Sequence, residues 1–113
     1  MKQIFFTPQR GDVVRVASSI PPYPRPPEFR YFLVLSPQVY NSRVGLALLC
    51  PISPDIRGYP FEVLIPPDLP VRGAVLADQA ESFDWRSRRA EPICVLPPRA
   101  VEEVIGKLRA LLG

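Results

Sequence analysis

Residues 51–65 read PISPDIRGYPFEVLI, and this stretch decides the architecture. Pro51 and Pro54 punctuate its first half, and 61–65 gather aromatic and branched side chains before the next proline cluster at 66–70. That composition predicts a short strand bounded by turns. Residues 12–17, 31–35, 46–50 and 74–77 read the same way, and 93–96 adds another strand. Further prolines cluster at 21–27 and at 97–98, between these segments. Strands of about five residues separated by turns indicate a small twisted sheet or barrel. A parallel sheet needs crossover helices, for which the chain has little room.

Two segments read as helical. Residues 37–43 form a short one, with Ser36 as its expected N-cap and Pro37 at its first position. The second begins near Pro98, where Val101, Val104, Ile105, Leu108, Leu111 and Leu112 fall at helical spacing. Charged residues, including Glu102, Glu103 and Lys107, occupy mainly the opposite side. The apolar stripe reads as packing on the sheet, and in a small domain part of it can cover a subunit interface.

The 113 residues suit one domain, 1–113, and are too few for two. Hydrophobic residues at 47% and charged residues at 22% exclude a disordered chain despite the 16 prolines. No window approaches the roughly 18 uninterrupted apolar residues of a membrane span. Residues 1–7 show no secretory cleavage pattern, so a cytoplasmic setting is expected. Cys50 and Cys94 both lie in apolar runs and read as free, buried thiols. Histidine is absent, which excludes a histidine base, a Ser-His-Asp triad and any histidine-ligated metal. No metal site and no cofactor are expected. The net charge is +3, and twelve of the fourteen basic residues are arginine. Arginine's planar fork of donors suits phosphate, which is compatible with nucleic acid without proving it.

Composition alone reaches a small β-rich domain with a C-terminal helix, and it does not reach a reaction. A set of ordered blocks does: Gly11-Asp12; Leu35-Ser36-Pro37 with Tyr40-Asn41; Pro51-Ile52-Ser53; and Gly58-Tyr59-Pro60-Phe61-Glu62-Val63. These continue with Ala77-Asp78-Gln79, Ser82, Trp85-Arg86 and Arg88, ahead of the final amphipathic segment. In their order and spacing these blocks resemble the MazF family of toxins. The resemblance covers nearly the whole chain. It implies a mainly β fold with a C-terminal helix, an SH3-like small barrel shared with PemK/Kid and CcdB toxins. It further implies a homodimer with single-stranded RNA in a groove across it, and a MazE-like antitoxin whose tail occupies the same region. The activity implied is ribosome-independent, metal-independent cleavage of RNA at short motifs, leaving a 2′,3′-cyclic phosphate and a 5′-hydroxyl.

The resemblance assigns two catalytic residues. Arg30 matches the catalytic arginine, whose fixed guanidinium suits the charge that builds on a five-coordinate phosphorus. Ser53 falls where the family usually has a threonine, keeping the hydroxyl and losing the methyl group. Read without the family, Arg30 is a surface arginine at a strand edge and Ser53 a turn serine. Asp78 is a secondary candidate, since the PemK/Kid branch uses an aspartate there, and its alternative role is structural. Arg57, Gln79 and Arg86 are candidates for contacting RNA. Trp85 reads as core or dimer packing rather than a stacking platform.

The chain departs from the family in the loop before Arg30, which is usually glycine-rich, carries a glutamate and ends in Arg-Pro. Here Arg25 stands where the glutamate belongs, Glu28 is shifted, and Tyr31 follows Arg30. Glu28 is kept as a secondary catalytic candidate and Arg25 as an RNA contact. The stiffer, more basic loop and the serine motivate an alternative, a non-catalytic module on the same barrel that binds RNA or a protein. The shared fold leaves a second, a CcdB-like gyrase poison, against which the matches at Arg30 and Ser53 speak.

Overall fold

The computed structural model of the protein describes residues 6–18 and 28–113. The proline-rich loop 21–27, with the RNA-contact candidate Arg25, lies outside them. Among the described residues, seven strands and two helices follow in the order β1 (Asp12–Ala17), β2 (Phe29–Val34), α1 (Gln38–Val44), β3 (Ala47–Ser53), β4 (Glu62–Leu64), β5 (Ala74–Leu76), β6 (Glu81–Phe83), β7 (Glu91–Val95) and α2 (Pro98–Leu112). A single 3₁₀ turn, Ala77–Gln79, joins β5 to β6. All pairings are antiparallel, in the order β4-β5-β3-β2-β1-β7, and β6 pairs with the first half of β3. The sheet stays open between β4 and β7. Helix α2, leaving β7, packs on β4 and on the 3₁₀ turn, giving a barrel-like body.

Alternation along the strands sorts the core into two layers. Val13, Leu33, Cys50, Ile52 and Val75 face α2 and meet its Ala100, Val101 and Val104. Val14, Val16, Phe32, Val34 and Leu49 face the other way, against Trp85. There Phe32 stacks on Phe83 with ring centroids 5.4 Å apart. Trp85 is only 6% exposed, so it serves packing and offers no open ring to a base. Cys50 and Cys94 are both free; Cys50 is fully buried and Cys94 half-buried. No helix among the described residues is long and apolar enough to cross a membrane.

The structure moves several expected boundaries. β2 begins two residues early, at Phe29. β3 passes through Pro51 to Ser53, beyond the expected end at residue 50. The proline is tolerated because β3 changes neighbours there: β6 pairs with Ala47–Leu49 and β5 with Ile52 and Ser53. Pro51 falls in the gap between them, where a missing N–H costs no ladder bond on that side. β6 was not expected, since Glu81-Ser82-Phe83 carries no strand-like alternation. Ser36 does not cap α1, whose N-cap is Pro37 with no side-chain bond. Its hydroxyl donates to buried Asn41 Oδ1 (2.5 Å) and accepts from Leu48 N–H (2.8 Å). Asn41 Nδ2 in turn donates to the carbonyls of Pro8 (2.8 Å) and Ser36 (3.1 Å). The Leu-Ser-Pro and Tyr-Asn blocks thus form a polar knot tying the N-terminal segment, α1 and β3 together.

Candidate active site

Arg30 and Ser53 lie at the ends of neighbouring strands. Continuing the β2–β3 register one pair past Tyr31–Ile52 sets Arg30 across from Ser53, and opposed residues on antiparallel strands project to the same face. Both line one open cleft of about 600 Å³, together with Phe29, Tyr31, Arg72 and Gln79. Among the described residues, no carboxylate lines it. The charged side chains that line it among these residues are two arginines, so its field favours a polyanion.

Arg30 is exposed, and its guanidinium rests over the Phe32 ring, 5.2 Å from the centroid. That aromatic support orients the side chain without neutralising it. Arg15 differs: among the described residues it alone forms an ion pair, with Glu91 at 2.9 Å. Arg30 therefore keeps its charge available for a ligand.

Ser53 Oγ accepts from Asp55 N–H at 3.1 Å and donates to the Asp55 carbonyl at 3.3 Å. The turn-serine geometry is thus present. The donated bond is long for O–H···O, whose usual distance is near 2.7–2.8 Å, so the hydroxyl proton is easily turned toward a phosphate oxygen. The N–H bond meanwhile fixes the oxygen. β3 ends here, before Pro54, and Gly73, at φ 119°, lies against the Ser53 carbonyl.

Gln79 reaches the cleft from the 3₁₀ turn, which β5 places beside β3. Asp78, its neighbour, does not line the cleft. Its Oδ1 accepts a 2.8 Å hydrogen bond from Tyr59 Oη. Glu62 accepts from the backbone N–H of Arg57 (2.9 Å) and of Gly58 (2.7 Å). The Gly-Tyr-Pro-Phe-Glu-Val block is therefore a braced turn: Glu62 holds its start and Asp78 its tyrosine. Arg57 is exposed on this turn and outside the cleft lining.

Glu28 is exposed immediately before β2, outside the cleft lining, with its carbonyl accepting from Ser18 N–H (2.8 Å). Arg86 sits over the Trp85 ring at 4.9 Å and donates to the Ser42 carbonyl of α1 at 3.4 Å. It too lies outside the cleft lining. Arg72 is a charged lining residue that no motif marks. It belongs to no recognisable block and stands 42 positions from Arg30, so only the β3–β5 pairing brings the two into one cleft.

Comparison with known proteins identifies the family. Residues 9–112 match the PemK-like, MazF-like toxin family of type II toxin–antitoxin systems. The endoribonuclease toxin MazF of Escherichia coli K12 is 32% identical over 108 residues, covering 96% of each chain. Among solved structures, MazF in the MazE–MazF complex of Deinococcus radiodurans is 44% identical, with a TM-score of 0.86 over 96% of this chain and 98% of that one. A mycobacterial endoribonuclease, at 20% identity and a TM-score of 0.77 over 98% and 96%, shares the fold. The chain belongs to the PemK-like, MazF-like toxins of type II toxin–antitoxin systems, as a MazF-like endoribonuclease toxin.

Proposed function

We propose that the protein cuts single-stranded RNA in the Arg30–Ser53 cleft without a metal ion, thereby arresting translation and growth. The 2′-oxygen bonds to the adjacent phosphorus as the bond from phosphorus to the 5′-oxygen breaks. The 2′-hydroxyl proton passes to water, and the departing 5′-oxygen takes one from water. The products are a 2′,3′-cyclic phosphate and a 5′-hydroxyl. Arg30 stabilises the equatorial oxygens of the five-coordinate phosphorus, and Ser53 donates to one of them. Gln79 orients the strand from the adjacent wall. Asp78, Arg57 and Arg86 act outside the cleft, the first as a brace and the arginines as contacts to RNA leaving it.

The observation that carries this reading is the cleft lining: two arginines, a hydroxyl and an amide, with no carboxylate among the described residues to repel phosphate. The family match over 9–112 supports reading 1–113 as a single toxin domain, and a cytoplasmic setting is consistent with the lack of a membrane-spanning helix among the described residues. Exposed Leu64, Val95 and Leu112 supply apolar surface for a homodimer. The solved MazE–MazF complex of D. radiodurans supports a MazE-like antitoxin as the partner. The test is incubation of purified protein with single-stranded RNA in excess EDTA, followed by end analysis. Cyclic-phosphate and 5′-hydroxyl ends are expected. Tight RNA binding with no cleavage points instead to a non-catalytic binding module.

A further inference from the structure

We infer that Arg72 is a second phosphate-binding residue, which grips a phosphodiester flanking the scissile one and sets the register of the RNA strand. The inference rests on the reading of the cleft as an RNA site. Arg72 lines the same cleft as Arg30, reaching it from loop 66–73 rather than from β2. It also lines a smaller apolar notch of about 300 Å³ with Ile56 and Leu64, so it stands on the rim between the two.

The backbone on either side of Arg72 is pinned. Val71 is buried in the core layer facing α2. The Gly73 carbonyl accepts from Ile65 N–H at 3.0 Å, and Gly73 itself abuts the Ser53 carbonyl. An exposed guanidinium on a fixed backbone, next to the end of β3, is preorganised for an anion. Among the described residues it forms no ion pair that a phosphate would have to displace.

Two guanidiniums on different walls of one cleft match a strand carrying one phosphate per nucleotide. Arg30 meets the reacting phosphate, and Arg72 meets a neighbour that does not react. Contacts to non-reacting phosphates fix position rather than chemistry. Loss of Arg72 therefore raises KM and leaves kcat nearly intact, whereas loss of Arg30 lowers kcat.

The experiment measures binding of a fluorescent 2′-O-methyl RNA 20-mer pool, which lacks the attacking hydroxyl, between 50 and 200 mM salt. Each phosphate neutralised on a single strand contributes about 0.7 to the slope of log K against log salt. Arg72→Ala is expected to lower the slope by about that amount, while Arg72→Lys keeps the slope, since it keeps the charge. Circular dichroism confirms that both variants are folded. A wild-type slope and wild-type KM in a folded Arg72→Ala overturn the inference, and the cleavage reading is left standing. A wild-type protein that binds the pool but cuts no RNA overturns the cleavage reading and leaves Arg72 as a phosphate contact. An unchanged RNA slope with weakened binding of an acidic antitoxin peptide overturns the inference in favour of a protein contact.

Discussion

A Cβ atom on Gly73 would lie 1.9 Å from the carbonyl oxygen of Ser53 and 2.9 Å from Pro54 Cα. The obstacles are backbone atoms, which cannot swing aside as a side chain can. The positive φ of 119° adds strain for any other residue. The loop carrying Arg72 thus rests directly on the strand end carrying Ser53, so fold and site are joined at this glycine. Gly73→Ala is expected to cost about 2–4 kcal/mol and to reduce cleavage with it. Urea unfolding checks the first, and an RNA cleavage assay checks the second. A wild-type midpoint contradicts the contact.

The polar knot at Asn41 gives a different kind of prediction. Asn41→Ala strips hydrogen bonds from Ser36 Oγ and from the buried carbonyl of Pro8. Leaving such groups unpartnered costs about 1–3 kcal/mol each. Thermal unfolding is expected to fall accordingly, while the folded fraction cuts RNA at the normal rate. Loss of cleavage at full stability contradicts a purely structural role.

For Asp78 the geometry favours bracing. Both Asp78→Asn and Tyr59→Phe weaken one exposed hydrogen bond, worth about 0.5–1.5 kcal/mol, and leave the cleft lining untouched. Initial cleavage rates within about threefold of wild type are expected for both, against a loss of about a hundredfold or more for a group stabilising transition-state charge. A collapse of the rate in Asp78→Asn alone moves that carboxylate into the chemistry.

Burial pushes the Cys50 thiol up to about 12 from an ordinary value of 9.0, with the charge of Asp78 adding to the effect. The unfolded chain then releases that proton near pH 9, while the folded protein holds it. Stability from this group is complete below about pH 9 and is lost as pH rises toward 12. Denaturation midpoints measured from pH 7 to 10.5 are expected to fall above pH 9, less steeply in Cys50→Ala. At neutral pH a thiol reagent is expected to label half-buried Cys94 first. Faster labelling of Cys50 in the native protein contradicts its burial.

Much of this was legible in the sequence, and the exceptions have physical causes. β1 is legible to the residue because Val13, Val14 and Val16 give Asp12–Ala17 a strand-forming composition. α2 was legible from its stripe and from Pro98. Pro51 hid the second half of β3, because a proline reads as a break unless the neighbouring strands are known to change there. β6 is three residues long and is held by pairing with β3 rather than by its own composition. Ser36 misled as a cap because its bond to Asn41 depends on the packed position of Pro8. In the site, Arg30, Ser53 and Gln79 were named by motif and share one cleft. Arg72 was invisible, because proximity across β3–β5 leaves no mark at short range.

The most direct measurement is the single-turnover rate of RNA cleavage in EDTA by Arg30→Ala and Ser53→Ala, each first shown to be folded. Arg30→Ala is expected to lose about a hundredfold to a thousandfold, the scale of removing one donor to developing charge. Ser53→Ala loses less, since its hydroxyl is shared with Asp55. Wild-type rates in both folded variants contradict catalysis by this pair, because the chemistry then lies outside the cleft they line.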